Sequence, residues 1–237
     1  MLSPAQRSQQ RKRAALAAAR SPATESMAGA TAYELQLMQL AQDRLRLKQI
    51  QSGQGKAELK RQLLPAYVPY VDGVLSAGRG AQDEVLTTIM VWRIDAGDYT
   101  GALDIAGYVL KHKLLMPDRF ARTTGCLVAE EIATAALKAQ KVGESFDRDV
   151  LLRTAAATHE QDMPDEVRAK LYLALGKATQ ADVADDISPE ALEQAIASLN
   201  AARDWLVKAI DLHSSCGGKK DLERVERLLK KHTAPAE

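Results

Sequence analysis

The sequence is poor in the residues that build sheets, membrane spans and disulfide frameworks. Aromatic side chains make up only 4% of its 237 residues, and there are two cysteines, Cys126 and Cys216. A chain of this length can bury a sizeable core, and a composition rich in alanine and leucine favours helices over strands. No run of eighteen apolar residues occurs, so we predict no transmembrane helix. Two isolated thiols are typical of a reducing compartment without disulfides.

The motifs of common catalytic sites are also missing. There is no GxxxxGK[ST] phosphate-binding loop, no GxSxG motif and no pair of histidines at the spacing of metal ligands. Asp165 and Glu166, followed by Lys170, superficially resemble an acid-and-lysine nuclease motif. A helix start explains these acids more simply, because carboxylates stabilise the positive end of the helix dipole. We therefore predict no catalytic residues, no metal site and no cofactor.

Charge is unevenly distributed along a chain whose formal net charge is only +1. Residues 1–61 contain 11 lysines and arginines against 4 acids, whereas the remaining residues contain 21 against 27. A basic amino-terminal region on an acidic body is typical of proteins that contact nucleic acid at one end. A solvated surface of uneven charge is the alternative interpretation.

The amino-terminal region contains five cations and no acid within residues 1–20. Ser3 and Pro4 predict a helix start, but at about 100° per residue the cations spread around the helix and leave little apolar face. We interpret residues 1–30 as a basic arm and linker, mobile until the cations meet phosphates. The predicted DNA contacts are Arg7, Arg11, Lys12, Arg13 and Arg20, together with Lys56, Lys60 and Arg61 further along the chain.

A long helix is predicted to begin at Thr31, where Glu34 completes a capping box. Its apolar positions cover more than one packing face, so we predict that it contributes to a homo-oligomer. Burial within the same chain is the alternative. A glycine-containing break at residues 52–55 precedes a basic helix over residues 56–64, an arrangement that fits either a DNA-reading helix-turn-helix or a surface helical hairpin. The predicted interface residues are Leu37, Leu40 and Leu47.

Residues 81–117 predict a helical hairpin around which the rest of the chain is organised. Trp92 lies on the apolar face of the first helix, Gly97 ends that helix, and Asp98 caps the second. Gly97, Asp98 and Tyr99, with the small residues that follow, resemble the middle of a tetratricopeptide repeat. An ordinary helical hairpin is the alternative interpretation.

The helical pattern continues to the carboxyl end, and no segment predicts a strand. We therefore expect an all-α fold of stacked helical hairpins, partly tetratricopeptide-like, with a basic N-terminal arm. Separate helices are expected over residues 56–64 and from Pro65 onward. The predicted domains are residues 1–30 as arm and linker, 31–180 as a central helical oligomerisation and DNA-binding domain, and 181–237 as a C-terminal helical pair.

Longer blocks of sequence resemble one known family. They read KRQLLP at residues 60–65, VWRIDAGD at residues 91–98 and MPDEVRAKL at residues 163–171. These blocks are similar, in matching order over most of the chain, to the small terminase subunit of temperate tailed phages that package DNA from cohesive ends.

The resemblance implies a role in genome packaging in the host cell cytoplasm. Such subunits recognise the packaging site on double-stranded phage DNA, and they recruit and regulate the large subunit, which carries the ATPase motor and the nuclease. They generally act as ring-like homo-oligomers. The family is often labelled the endonuclease subunit, but the residues here support no independent nuclease, so we expect a non-catalytic subunit of a complex. A cytoplasmic helical-repeat adaptor without DNA binding is the alternative.

Overall fold

A computed structural model describes residues 2–21, 29, 31–117, 122–181, 183 and 189–233. Most of the predicted linker and the acidic residues 184–188 lie outside these ranges. The described residues form α-helices and one short 3-10 helix, with no strand among them, so the predicted all-α class is confirmed. None of the described helices is long and apolar enough to cross a membrane. The chain folds as two compact units, Met1–Thr124 and Gly125–Glu237. The predicted boundaries near residues 30 and 180 stay predictions.

The first unit is built around its longest helix, α3. Helices α1, α2 and α4 all pack against α3, and α5 packs against α4. Ser52 caps the start of α3 by accepting a hydrogen bond from the Gly55 backbone N–H at 3.0 Å. The helices of this unit are α1 Pro4–Arg20, α2 Thr31–Lys48, α3 Gly53–Ala77, α4 Glu84–Ala96 and α5 Tyr99–Lys111.

One continuous helix, α3, replaces the two helices expected on either side of Pro65, and that expectation was wrong. Both Pro65 and Pro69 lie inside it. A proline has no N–H to donate, so the Arg61 and Pro65 carbonyls lose their usual partner four residues on. The helix continues because side chains on both sides of the prolines are buried among the neighbouring helices, and their burial offsets the lost bonds. These side chains are Leu63, Leu64, Tyr67, Tyr70, Val71 and Val74.

The basic helix α1 packs closely on α3 although it contains few large apolar residues. Ser3 and Pro4 start it as predicted, and Ala14 and Ala18 are fully buried. A Cβ added to Gly73 of α3 would lie 2.5 Å from the Arg11 carbonyl oxygen and 2.7 Å from the Ala14 Cβ. The two backbones therefore meet directly, and α1 has a packing face that the sequence analysis did not anticipate. Small side chains make this face narrow, so it leaves a weak hydrophobic pattern.

Two buried tyrosines fix α3 to its neighbours through carboxylates. The Tyr67 hydroxyl donates to Asp43 Oδ2 of α2 at 2.8 Å, and the Tyr70 hydroxyl donates to Asp83 Oδ2 at 2.7 Å. Asp83 also caps α4 by accepting from the Leu86 backbone N–H at 2.9 Å. The two buried tyrosine hydroxyls and the two buried carboxylates thus satisfy each other, as burial requires.

The predicted hairpin forms as α4 and α5. Trp92 is only 6% exposed and makes an edge-to-face contact with Tyr67 at a centroid distance of 6.0 Å. Gly97 ends α4 with a left-handed φ of 83°, and Asp98 Oδ1 accepts from the Gly101 N–H at 3.0 Å. The buried tryptophan and both caps are confirmed. The tetratricopeptide-like stacking stays a prediction.

The second unit is centred on the pairing of α8 with α9. A Cβ on Gly176 of α8 would lie 2.6 Å from Leu206 Cγ, so this glycine lets α9 approach closely. Val225 and Leu229 of the next helix, α10, complete the same core. The helices are α6 Thr124–Lys141, α7 Arg148–Thr158, α8 Asp165–Ala181, α9 Leu192–Leu212 and α10 Lys219–Thr233, with a 3-10 turn at Pro189–Ala191.

Truncating Trp92 should destabilise the first unit strongly. Replacement by alanine removes a buried ring and leaves a cavity, so we expect Trp92→Ala to lower the free energy of unfolding by roughly 3–5 kcal/mol. Urea unfolding followed by circular dichroism measures this loss. Leu115→Ala is the control, because that side chain is 73% exposed and its loss should change stability by less than about 0.5 kcal/mol. Equal effects of the two substitutions would contradict the packing.

The buried Asp83 should make stability depend on pH. Burial raises its pKa from 3.8 to about 6, despite hydrogen bonds from Leu86 and Tyr70 that lower it. Between pH 4 and 6 the folded chain keeps a proton that the unfolded chain releases, so the free energy of unfolding falls as pH rises, by roughly 2–3 kcal/mol from this group. Asp83→Asn keeps a capping side chain and removes the titration. Urea unfolding across that window should show a shallower fall for the variant, and parallel curves would refute this role.

Candidate nucleic-acid interface

The five predicted cations of α1 all remain exposed although their helix is packed. About 100° per residue places Lys12, Arg13 and Arg20 at least about 100° away from the buried Ala14, on the side facing away from α3. Arg7 and Arg11 lie closer to the packed side and are exposed beside it. The helix therefore presents basic side chains both outward and along its junction with α3.

None of these five cations has an ion-pair partner among the described residues. The first turn of α1 contains no acid. Nearby carboxylates would neutralise the cations, whereas unpaired guanidinium and ammonium groups can exchange their water and counterions for phosphate oxygens. The arrangement suits a polyanion, because folding itself requires only the alanine seam on the other side of the helix.

The predicted cations of α3 are placed differently. Lys60 forms an ion pair with Asp95 of α4, and its side chain is only 14% exposed. Arg61 donates to Glu58 at 2.7 Å and to the Ala96 carbonyl oxygen at 3.0 Å. Lys56 is half-buried and has no ion pair within the described ranges. Two of the three cations thus stabilise contacts inside the unit, and a DNA role for them stays a prediction.

Helix α2 buries the side that carries two of the predicted interface leucines. Leu40 is fully buried and Leu47 nearly so, while Leu37 is half-buried. Leu40 and Leu47 are therefore buried within their own chain, which was the alternative interpretation of the sequence. The predicted use of these two side chains in contacts between copies is untenable, because the core already covers them.

The opposite side of α2 carries an exposed apolar stripe that does not include the three predicted interface leucines. Its side chains are 55%, 62% and 61% exposed and lie within about 80° of one another around the helix. Their spacing of three and seven residues is the signal that could have distinguished them from the buried set. The stripe consists of Leu35, Met38 and Leu45.

The acids once compared with a nuclease motif have ordinary structural surroundings. Asp165 and Glu166 occupy the first turn of α8, where carboxylates favour the helix start. Lys170 lies 3.6 Å from Glu130 Oε1 of α6 and forms an ion pair with it. Within the described part of the chain, no group of three or more histidine, cysteine or acidic residues could hold a metal ion.

Comparisons with known proteins identify the family. The family model for the phage small terminase subunit matches residues 37–166. The chain is 44% identical over 235 residues to the protein named terminase, endonuclease subunit, of Escherichia phage P2, covering 99% of this chain and 89% of the relative. No solved structure matches significantly. The chain therefore belongs to the phage small terminase subunit family, and its role lies in phage DNA packaging.

Proposed function

We propose that this chain recognises the packaging site on double-stranded phage DNA and recruits and regulates the large ATPase and nuclease subunit. It would act as a homo-oligomer, with a ring as the expected form, in the cytoplasm of the host cell. The observation that carries the proposal is the set of exposed cations on α1 that have no ion pair within the described residues. Family membership supplies the packaging context in which these cations would meet DNA.

The packing of α1 supports a defined DNA-binding surface. Because Ala14, Ala18 and Gly73 hold the helix against α3, its cations stand on a supported backbone. Less backbone freedom is then lost when the cations meet phosphates. Phosphate contacts supply affinity and orientation, whereas base edges or DNA shape supply the choice of site. Lys56 remains a candidate for choosing the DNA site, because it forms no ion pair in the described structure.

Removing three cations from α1 should weaken DNA binding and reduce its salt dependence. Each phosphate contact contributes about 0.9 to the slope of log affinity against log salt. We expect Arg11→Ala, Lys12→Ala and Arg13→Ala together to flatten that slope by roughly 1 to 3 units, since not all three cations need touch phosphate. A salt titration of binding to packaging-site duplex measures the change.

A control variant in the second unit removes the same charge. Lys219, Lys220 and Lys230 of α10 are exposed, so their replacement by alanine should leave the fold intact and the slope unchanged. Equal slopes for wild type and the α1 variant would place the DNA-binding surface elsewhere. Complete absence of salt-dependent binding would instead favour the protein-binding adaptor.

We propose further that the apolar stripe of α2 joins copies of the chain. Leu35, Met38 and Leu45 lie along one side of a helix whose other side is already in the core. A second copy covering the stripe would remove these side chains from water, which is the usual driving force of association. Helix α2 would thus still mediate self-association, but through the side opposite the buried Leu40 and Leu47.

Charging the stripe should reduce assembly without unfolding the chain. We expect Leu35→Glu, Met38→Glu and Leu45→Glu together to lower the mass in analytical ultracentrifugation, because carboxylates cannot be buried between copies. Helical content should remain, since all three side chains are exposed. Gln51→Glu, Gln54→Glu and Thr100→Glu add the same charge at exposed polar positions and should leave the mass unchanged. A stripe variant with wild-type mass would exclude this interface.

The name of the phage P2 relative raises the question of cleavage by this chain itself. We propose that it is a non-catalytic subunit, because the motif-like residues have other tasks. Asp165 and Glu166 stabilise a helix start, and Lys170 is paired with Glu130. Cutting of DNA would then belong to the complex with the large subunit.

A further inference from the structure

A groove with an apolar floor and a basic rim crosses the surface of the first unit. It lies between α1, α3 and the turn that joins α4 to α5, and its volume is about 490 Å³. The floor includes Pro65, Val68 and Pro69 of α3, and the rim includes Arg7, Arg61 and Arg93. We call this site the Arg groove.

The floor of the Arg groove offers apolar contact. Val68 is 36% exposed and Pro65 is also exposed, whereas Pro69 is buried. Covering the two exposed side chains would remove apolar surface from water, which is favourable. The occupant should therefore bring an apolar side chain.

The rim has an excess of positive charge. Three arginines line the groove against one carboxylate, Asp98, which accepts from Arg93 Nη1 at 2.7 Å. Arg61 pairs with Glu58, whereas Arg7 has no ion pair among the described residues. The Arg93 guanidinium lies over Gly101, where an added Cβ would approach within 1.8 Å, and its buried Nε finds no acceptor in the described part of the chain. These groups favour an occupant with carboxylates.

Together the floor and rim favour a peptide over nucleic acid. A phosphodiester backbone provides acceptors for arginine, but it has no aliphatic side chain for Val68. An extended peptide with acidic and apolar residues provides both. The groove therefore favours an acidic segment that contains an aliphatic residue.

This sequence contains such a segment. Between Lys177 and Arg203 there are five acids and no lysine or arginine, and residues 184–188, outside the described ranges, read ADDIS. The two units of the chain also differ in net charge, which is positive in the first and negative in the second. Counted from the sequence, Met1–Thr124 contains 17 lysines and arginines against 11 acids, and Gly125–Glu237 contains 15 against 20.

We propose that the Arg groove binds residues 184–188 of a second copy of the chain. Asp185 and Asp186 meet the arginines of the rim, and Ile187 covers the floor at Val68. Groove and segment are different surfaces, so the contact is heterologous and can repeat from copy to copy, closing into a ring where the rotation allows. This contact is independent of the α2 stripe and of the α1 cations that face away from α3.

A binding assay with a peptide tests the groove directly. The receptor is the full chain with Asp185→Lys and Asp186→Lys, which disables its own segment and leaves the groove free. The probe is a fluorescein-labelled peptide of residues 181–191, ADVADDISPEA. Fluorescence anisotropy should show binding, and the same peptide with lysine in place of Asp185 and Asp186 should bind at least about tenfold more weakly.

Matched substitutions locate the contact. Adding Val68→Asp to the receptor places a carboxylate in the floor and should weaken probe binding at least about tenfold. Val207→Asp makes the same change at a valine of α9 that is 37% exposed, and should leave binding unchanged. Equal affinities for the two receptors would overturn the proposal, as would displacement of the probe by duplex DNA through the same Val68-dependent site.

Solution mass shows whether the occupant comes from a second copy. In the otherwise wild-type chain, Val68→Asp should lower the mass relative to Val207→Asp, and Asp185→Lys with Asp186→Lys should do the same. Mixing the two deficient variants should raise the mass above that of either variant alone, because one supplies an intact groove and the other an intact segment. Unchanged masses would overturn the second-copy assignment.

The DNA salt slope should stay at its wild-type value in Val68→Asp, which separates failure of this contact from failure of DNA binding.

Discussion

Two hydrogen bonds between buried tyrosines and buried carboxylates hold the first unit in register. Tyr67 donates to Asp43 of α2, and Tyr70 donates to Asp83 at the start of α4. Buried polar groups are costly when they lose their partners, so α3 cannot slide or rotate without breaking both bonds. The position of α3 in turn fixes α1, which packs at Gly73, and the Arg groove, whose floor is part of α3. The α1 cations and the Arg groove therefore depend on the same pair of bonds.

The basic helix shows how folding and binding can use different sides of one short element. Alanines and a facing glycine attach α1 through a narrow seam, and that seam leaves most of the helix surface to cations. A larger apolar face would hold the helix more firmly but would leave less room for arginine and lysine. Because none of the five cations is paired within the described residues, they keep the charge that phosphate contacts require.

Cations of similar appearance in the sequence thus have different tasks. Lys60 and Arg61 join α3 to α4 and to the last carbonyl of that helix, whereas the α1 cations remain in solvent. The division matters for a subunit of a packaging complex, because affinity for DNA and assembly of copies can then be altered separately. The α2 stripe and the Arg groove, each on its own surface, extend the same separation to contacts between copies.

The sequence by itself determined the helical class, several helix ends and the family. Ser3 with Pro4, Gly97 and Asp98 act within a few residues of themselves, so local chemistry was enough to place those ends. Only the tertiary structure decided that Lys60 meets Asp95, that α3 runs through two prolines, and which side of α2 faces the core. Those outcomes depend on which helices become neighbours, and partners 35 residues apart leave no local pattern. The apolar positions of α2 surround the helix, and packing against α3 and α4 selected the side that is buried.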